Sequence, residues 1–343
     1  MRDAHPYHMY ESITAQPAVF ASVIAENSQQ IEPVRQKLRS CKRIFFVGTG
    51  TSFHAAQAGQ YLFSAGGGNP DSWAMSAFNF ALYPPRLSRE DCVVVLSHRG
   101  TKTYSVAALK HAREAGAKTL LITGKSATTQ KALADDVFHT SEQENSSAHT
   151  ISYTSALAIL CALAEERFDA SAMAEVLQHG LGLEDKMKAV AEIMKDCRRI
   201  WIAGGGPSEI SAQEIALKMK ETSYMQAEGL GTETLLHGPF QSVEASDFFI
   251  LIAPDGKAQE RTLELIPAIK EVGAKYMVIG NEPPKNPDHW YEAPHVAEQY
   301  STLSCLIPLQ LLTYHLALVK KTNPDNFRLD DPRFAAINKF IKL

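Results

Sequence analysis

The stretch Lys42–Phe63, KRIFFVGTGTSFHAAQAGQYLF, runs from a basic pair through a short apolar run and a glycine-rich turn into residues patterned as a helix. That order describes a β-strand buried on both faces which turns directly into a helix. The same design returns at Arg198–Met219, RRIWIAGGGPSEISAQEIALKM, 156 positions after Lys42. Each copy is followed by a second apolar run behind an acidic residue, DCVVVLSHRG from Asp91 and SDFFILIAPDG from Ser246. Third runs are KTLLITG from Lys118 and KYMVIG from Lys275. Apolar runs alternating with helical segments predict parallel strands, and one long period predicts a domain duplication, not a solenoid.

The fold class read from this pattern is α/β: two tandem domains, each a parallel β-sheet with flanking helices in a three-layer, Rossmann- or flavodoxin-like arrangement. The expected boundaries are an N-terminal helical arm at 1–38, a first domain at 39–165, a helical connector at 166–195, a second domain at 196–320 and a turn-rich tail at 321–343.

A chain of 343 residues is long enough for cores that need no staples. A formal net charge of −4 gives no reason to expect nucleic acid or an anionic membrane as partner. The five cysteines, at 41, 92, 161, 197 and 305, are odd in number and lack C-x-x-C spacing. They read as reduced, mostly buried thiols of a cytoplasmic protein. The polar start MRDAHPYHMYES is unlike a signal peptide, and no apolar run is read as reaching membrane length. The twelve histidines lack metal-ligand spacing, so neither a metal nor another cofactor is expected.

Both glycine-rich turns fall where open α/β sheets bind ligands, at strand carboxyl ends and helix N-termini. Gly48-Thr49-Gly50-Thr51-Ser52 places hydroxyls beside backbone N–H groups, which suits a phosphate monoester; without G-x-G-x-x-G spacing it does not suit a dinucleotide. Gly204-Gly205-Gly206-Pro207 has no hydroxyl before Ser208 and reads as a tight turn with proline at the helix start. In EIALKMKETSYMQAE, residues 214–228, helical spacing puts Glu214, Lys218 and Glu221 on one face, with Ile210 and Leu217 on the inner stripe. Taken alone, that face also fits an ion pair on a solvated helix.

The segments EIALKMKETSY with the following HGP at His237, PLQLLTYHLALVK at Pro308–Lys320, and GTGTS occur in the order that they have in one family. The chain resembles the sugar isomerase (SIS) superfamily, and within it the isomerase half of glucosamine-6-phosphate synthase. The resemblance implies a phosphosugar enzyme that opens a hexose ring and moves a proton between C1 and C2 through an enediol or enolamine. It assigns the proton transfer to Glu221, ring opening to His237 and a supporting role to Lys218. It also implies a homodimer in which the histidine crosses to the neighbouring site. A tail lysine that opens the ring has Lys339 as its nearest counterpart, with Lys342 the other choice.

The phosphate side departs from the family's pattern. At Ser97-His98-Arg99-Gly100-Thr101-Lys102-Thr103, where the family resembles SQSGET, Ser97 and Gly100 match, while His98 and Arg99 replace a glutamine and a serine. Two cations, Arg99 and Lys102, at a helix start would pair with a dianionic phosphate. At ENSSAHTISYT, residues 144–154, Thr150 and Thr154 fit, but His149 stands at a serine and Ile151 at a lysine. Gly50, Thr51, Ser52, Ser97, His98, Arg99, Lys102, Thr103, Ser147, His149 and Thr150 are the expected substrate- and phosphate-binding residues, with Ser146 beside them. The reading is an enzyme with an altered substrate, a hexose 6-phosphate or amino-hexose 6-phosphate. No glutaminase segment is visible, so glutamine hydrolysis is not expected. The rival reading is a sugar-phosphate sensor without turnover.

Overall fold

The apolar runs become the interior of two parallel sheets because their side chains are covered on both faces and have no solvent side to alternate with. In this computed structural model, residues 2–65, 70–127, 131–337 and 339–340 are described. The strands are β1 Arg43–Gly48, β2 Asp71–Ser76, β3 Asp91–Leu96, β4 Lys118–Thr123, β5 Asp136–His139, β6 Ile200–Gly204, β7 Ala227–Gly231, β8 Phe248–Ala253, β9 Lys275–Gly280 and β10 Trp290–Glu292. One sheet has the order β2-β1-β3-β4-β5, and the other repeats it as β7-β6-β8-β9-β10. Every pairing is parallel. The α/β class and the duplication follow directly.

The chain divides into two compact units. One comprises Ala15–Glu144 and His149–Ala174 and holds the first sheet; the other comprises residues up to Thr14, Asn145–Ala148 and Glu175–Phe340 and holds the second. In the first unit, helix Thr51–Ala65 packs on β1 and β2 and against helix Ile151–Ala164, all of whose residues are buried. The Thr154 hydroxyl donates to the Gln16 side chain there. In the second unit, helix Pro207–Ser223 packs on β6 and β7 and against helix Leu306–Val319. The Asp325 carboxylate accepts the His8 and Met9 backbone N–H groups at 2.9 Å, capping the first turn of helix His8–Glu26.

Two sequence expectations change. The segment Glu298–Val319 is, by length and composition, apolar enough to cross a membrane, although no membrane-length run was read there. Its most apolar window is 89% buried inside the protein, so its apolarity is that of a core helix. Helix Pro207–Ser223 is covered on more than one side: Glu214 and Lys218 are buried, while Leu217, assigned to the inner stripe, is only half-buried. The charged face points into the protein.

Candidate active site

Within the first unit, a recess opens beyond the carboxyl ends of β3 and β4. It is lined by Thr51 and Ser52 from the start of helix Thr51–Ala65, by Leu96, Ser97 and His98, and by Ile122, Thr140, His149, Ser152 and Tyr153. Two glycines shape the turn beside it. A Cβ at Gly48 would lie 2.2 Å from the Ser52 carbonyl oxygen, so a side chain clashes there, whereas Gly50 adopts φ +57°, where a side chain strains the backbone. The β3 end is clamped by the Thr123 hydroxyl on the Ser97 carbonyl at 2.7 Å and by Gly124 N–H on the His98 carbonyl at 3.0 Å. Ser97 Oγ and both ring nitrogens of His98 are buried without a hydrogen bond of normal geometry. Burial is the main cause pushing the His98 imidazole below its ordinary pKa, with Glu144 opposing. The His98 and His149 rings meet edge to face, centroids 5.5 Å apart, and His149 Nδ1 lies 3.3 Å from the Ser152 hydroxyl.

The recess thus gathers Thr51, Ser52, Ser97, His98 and His149. Arg99, one residue further along, is exposed and does not line it. Lys102 is half-buried at the N-cap of helix Thr103–Glu114 without a side-chain cap bond, and Thr103 is exposed. Burial, then the Arg99 charge, lowers the Lys102 pKa. Thr150 gives its N–H to Glu144 at 2.9 Å and its hydroxyl at 3.3 Å, and Ser152 N–H donates to the same carboxylate at 2.9 Å. The N-terminus of helix Ile151–Ala164 is therefore occupied by a carboxylate of the protein. Ser147 belongs to the other unit, where its N–H donates to the Asp325 carbonyl at 2.9 Å, and Ser146 Oγ is buried there without a partner.

At the corresponding turn of the second repeat the backbone bonds a carboxylate of the protein. Glu298 Oε1 accepts Lys257 N–H at 2.8 Å, and a Cβ on Gly256 would come within 2.5 Å of that oxygen. The Glu298 carboxylate lines a small recess there together with Gly205, Ser208 and Gly256.

Also in the second unit, Lys218 Nζ lies 2.7 Å from Glu221 Oε2 and 3.6 Å from Glu214 Oε1. Lys218 and Glu214 are sealed at 1% and 0% side-chain exposure, whereas Glu221 at 19% reaches a surface. That surface is a cleft of about 340 Å³ lined by Lys220, Glu221, Tyr224, Met225, Gln226, Phe327, Arg328 and Phe334. Helix Pro207–Ser223 ends at Tyr224 in the left-handed region, and Phe327 and Arg328 are left-handed in succession. This backbone puts the Arg328 guanidinium over the rings of Tyr224 and Phe334, 5.0 and 4.1 Å from their centroids.

His237 caps the short helix Thr232–Leu236, is 75% exposed, and its Nδ1–H donates to the Glu233 carbonyl at 2.8 Å; it does not line the Glu221 cleft. Lys339 is exposed in the tail and does not line the cleft either; Lys342 lies outside the described residues. The sequence reading missed Tyr224, Phe327, Arg328 and Phe334. The aromatic spacing in NFRLDDPRF was the available signal, but nothing local marks Phe327 and Arg328 as left-handed.

Two repeats of one parallel sheet order, each with a glycine turn at the ligand end, define a duplicated doubly wound α/β fold. The SIS domain matches residues 37–166 and 193–320, and the chain belongs to the SIS-domain family. It is 30% identical over 342 residues to the glutamine–fructose-6-phosphate aminotransferase (isomerizing) of Pyrococcus horikoshii, covering 95% of this chain and 57% of that protein. The chain thus spans a little over half the length of such relatives. Two solved structures share the fold. The C-terminal domain of glucosamine-fructose-6-phosphate aminotransferase from Francisella tularensis has TM-score 0.83 and 21% identity, covering 95% of this chain and 99% of that one. The tagatose-6-phosphate ketose/aldose isomerase from Escherichia coli has TM-score 0.82 and 18% identity, covering 95% and 97%.

Proposed function

We propose that the chain is a phosphosugar isomerase-type enzyme acting on a hexose 6-phosphate or amino-hexose 6-phosphate, with Glu221 moving a proton between C1 and C2. The observation that carries this reading is the Lys218–Glu221 pair: a buried ammonium 2.7 Å from a carboxylate that opens onto a cleft of about 340 Å³. The ammonium holds the carboxylate in place, and a cleft of this size takes a small sugar derivative. A carboxylate fixed beside the substrate carbons is the minimum that a C1–C2 proton transfer requires. The names of the relatives, a ketose/aldose isomerase and isomerizing aminotransferases, support the same class of chemistry. In this reading the first-unit recess takes the phosphate, and the strongly exposed His237 acts in a homodimer.

The test is solvent-proton exchange at C1/C2 with glucosamine 6-phosphate, with fructose 6-phosphate plus ammonium, and with a 6-phosphofructosamine, following sugar products and ammonia together. Glu221→Gln should keep binding and slow exchange by about 10²–10⁴-fold. Unchanged exchange in Glu221→Gln removes Glu221 from the chemistry. Thermal stabilisation by a sugar phosphate with no exchange on any of the three points instead to a binding protein.

A further inference from the structure

The first-unit recess contains two imidazoles that the proton transfer assigned to Glu221 does not use. Ser97 and His98 are 4% and 9% exposed; Ser97 Oγ has no hydrogen-bond partner, and neither His98 ring nitrogen makes a bond of normal geometry, the Glu142 backbone carbonyl being the acceptor that approaches the ring. Buried polar atoms are normally satisfied, so three together in one recess mark a place built for something that enters it. The neutral imidazole offers one N–H and one lone pair, while a tetrahedral oxyanion offers acceptors only. With one His98 nitrogen turned to the Glu142 backbone carbonyl, a neutral ring that donates there offers the oxyanion only a lone pair, and only the doubly protonated ring gives two donors.

The surrounding charges are already committed. On the 140s segment, Glu144 accepts from Thr150 and Ser152, and Glu142 accepts from the Ser126 hydroxyl at 3.2 Å. From the β3 turn itself, Arg99 acts on His98 from an exposed position. The Ile151–Ala164 side brings His149 and the phenol of Tyr153, and helix Thr51–Ala65 brings only the hydroxyls of Thr51 and Ser52. With Glu144 negative close by, an arriving dianion meets repulsion unless positive charge develops on the imidazoles. The recess itself is about 20 Å³, room for one water, so an anion seats at its mouth with oxygens reaching inward.

We infer that this recess is a proton-linked oxyanion site, in which His98, with His149 edge-on beside it, takes up a proton as the phosphoryl group of the substrate enters. The inference rests on the reading that this recess receives the phosphate. It adds a protonation of the protein to the titration of the phosphoryl group itself, which hydroxyl or amide donors would not. Burial disfavours the imidazolium form of His98 and a bound anion favours it, so proton uptake accompanies the anion.

The test is titration calorimetry of the full chain with inorganic phosphate and with sulfate, from pH 6 to 8 and in buffers of different ionisation enthalpy. Sulfate is the decisive probe because its own charge does not change in this range. Wild-type protein should take up close to one proton per sulfate, with affinity rising about tenfold per pH unit lost above the site's own titration. His98→Gln, which supplies an amide donor, should bind with a flat pH profile and no proton uptake. Arg99→Ala should weaken binding but keep the proton count. Should His98→Gln fail to fold, the imidazole C2–H resonances of the wild type answer the same question: at pH 7, saturating sulfate should move one towards the imidazolium position. Sulfate binding with no proton uptake and no such movement overturns the inference and leaves the phosphate reading standing. No binding of either anion at any pH overturns both.

Discussion

Replacing Lys218 by methionine removes one charge from the middle of a sealed cluster and keeps most of the side chain's volume. Lys218 sits 2.7 Å from Glu221 and 3.6 Å from Glu214, and neither it nor Glu214 is more than 1% exposed. At an effective dielectric of about 20, a unit-charge pair at 2.7 Å is worth roughly 6 kcal/mol and one at 3.6 Å roughly 5. Desolvation of three charged groups offsets most of that sum, so the pair adds little net stability compared with an apolar replacement of the whole cluster. Removing one member is different, because Glu214 then remains buried without the ammonium. The expected loss for Lys218→Met is about 3–5 kcal/mol, against a total stability of about 5–15 kcal/mol for a folded domain. Urea unfolding followed by circular dichroism measures it, with the slope against denaturant checked for constancy. Lys220→Met, on the same helix but exposed, should change stability by less than about 0.5 kcal/mol. The double variant Lys218→Met/Glu214→Gln should recover part of the loss, since it removes the second buried charge as well. A loss below about 1 kcal/mol for Lys218→Met, or an equal loss for Lys220→Met, would show that this helix face is solvated and that the burial argument fails.

The glycine turn separates two mechanisms: Gly50→Ala, with φ +57° and open space around the new methyl, should cost about 1–2 kcal/mol, while Gly48→Ala, whose methyl meets the Ser52 carbonyl at 2.2 Å, should cost more; equal losses refute the close-approach argument. Stability of the ligand-free chain should fall as pH drops below about 6.5, because burial holds the His98 and His315 imidazoles below their usual pKa and the unfolded chain then binds protons that the native state refuses. That contribution is complete above the unfolded value and is lost as pH falls towards the folded ones; urea midpoints at pH 7.5 and 5.5 measure it, and a His98→Gln chain with an undiminished pH slope would exclude His98 as a source. Glu298→Ala should lower stability by about 0.5–1.5 kcal/mol, because Lys257 N–H exchanges a carboxylate acceptor for water at an exposed turn, and an unaltered urea midpoint would mean that this turn does not need the carboxylate.

The six apolar runs that the sequence displays are the strands β1, β3, β4, β6, β8 and β9, the interior of each sheet, where neighbours on both sides and layers on both faces demand continuous apolarity. The strands left unread are DSWAMS, DVFH, AEGLG and WYE, and all four are sheet edges. An edge strand keeps part of its surface in solvent, so its composition carries a weak signal, and its place is fixed only by the neighbour that it pairs with. Helical spacing likewise put Glu214, Lys218 and Glu221 on one face of one helix but was silent on where that face points. The packing of helix Pro207–Ser223 between β6, β7 and helix Leu306–Val319 decided that, burying two charges and leaving Leu217 half-exposed. The motif SHRGTK marked a ligand loop, yet adjacent residues of one turn diverge, His98 into the recess and Arg99 into solvent. Sequence alone determined the duplicated parallel fold, because burial on two faces leaves a compositional trace over five or six consecutive residues. Tertiary structure alone decided which charges are buried and which tail residues wall the cleft, because those outcomes depend on backbone direction and on neighbours distant in the chain.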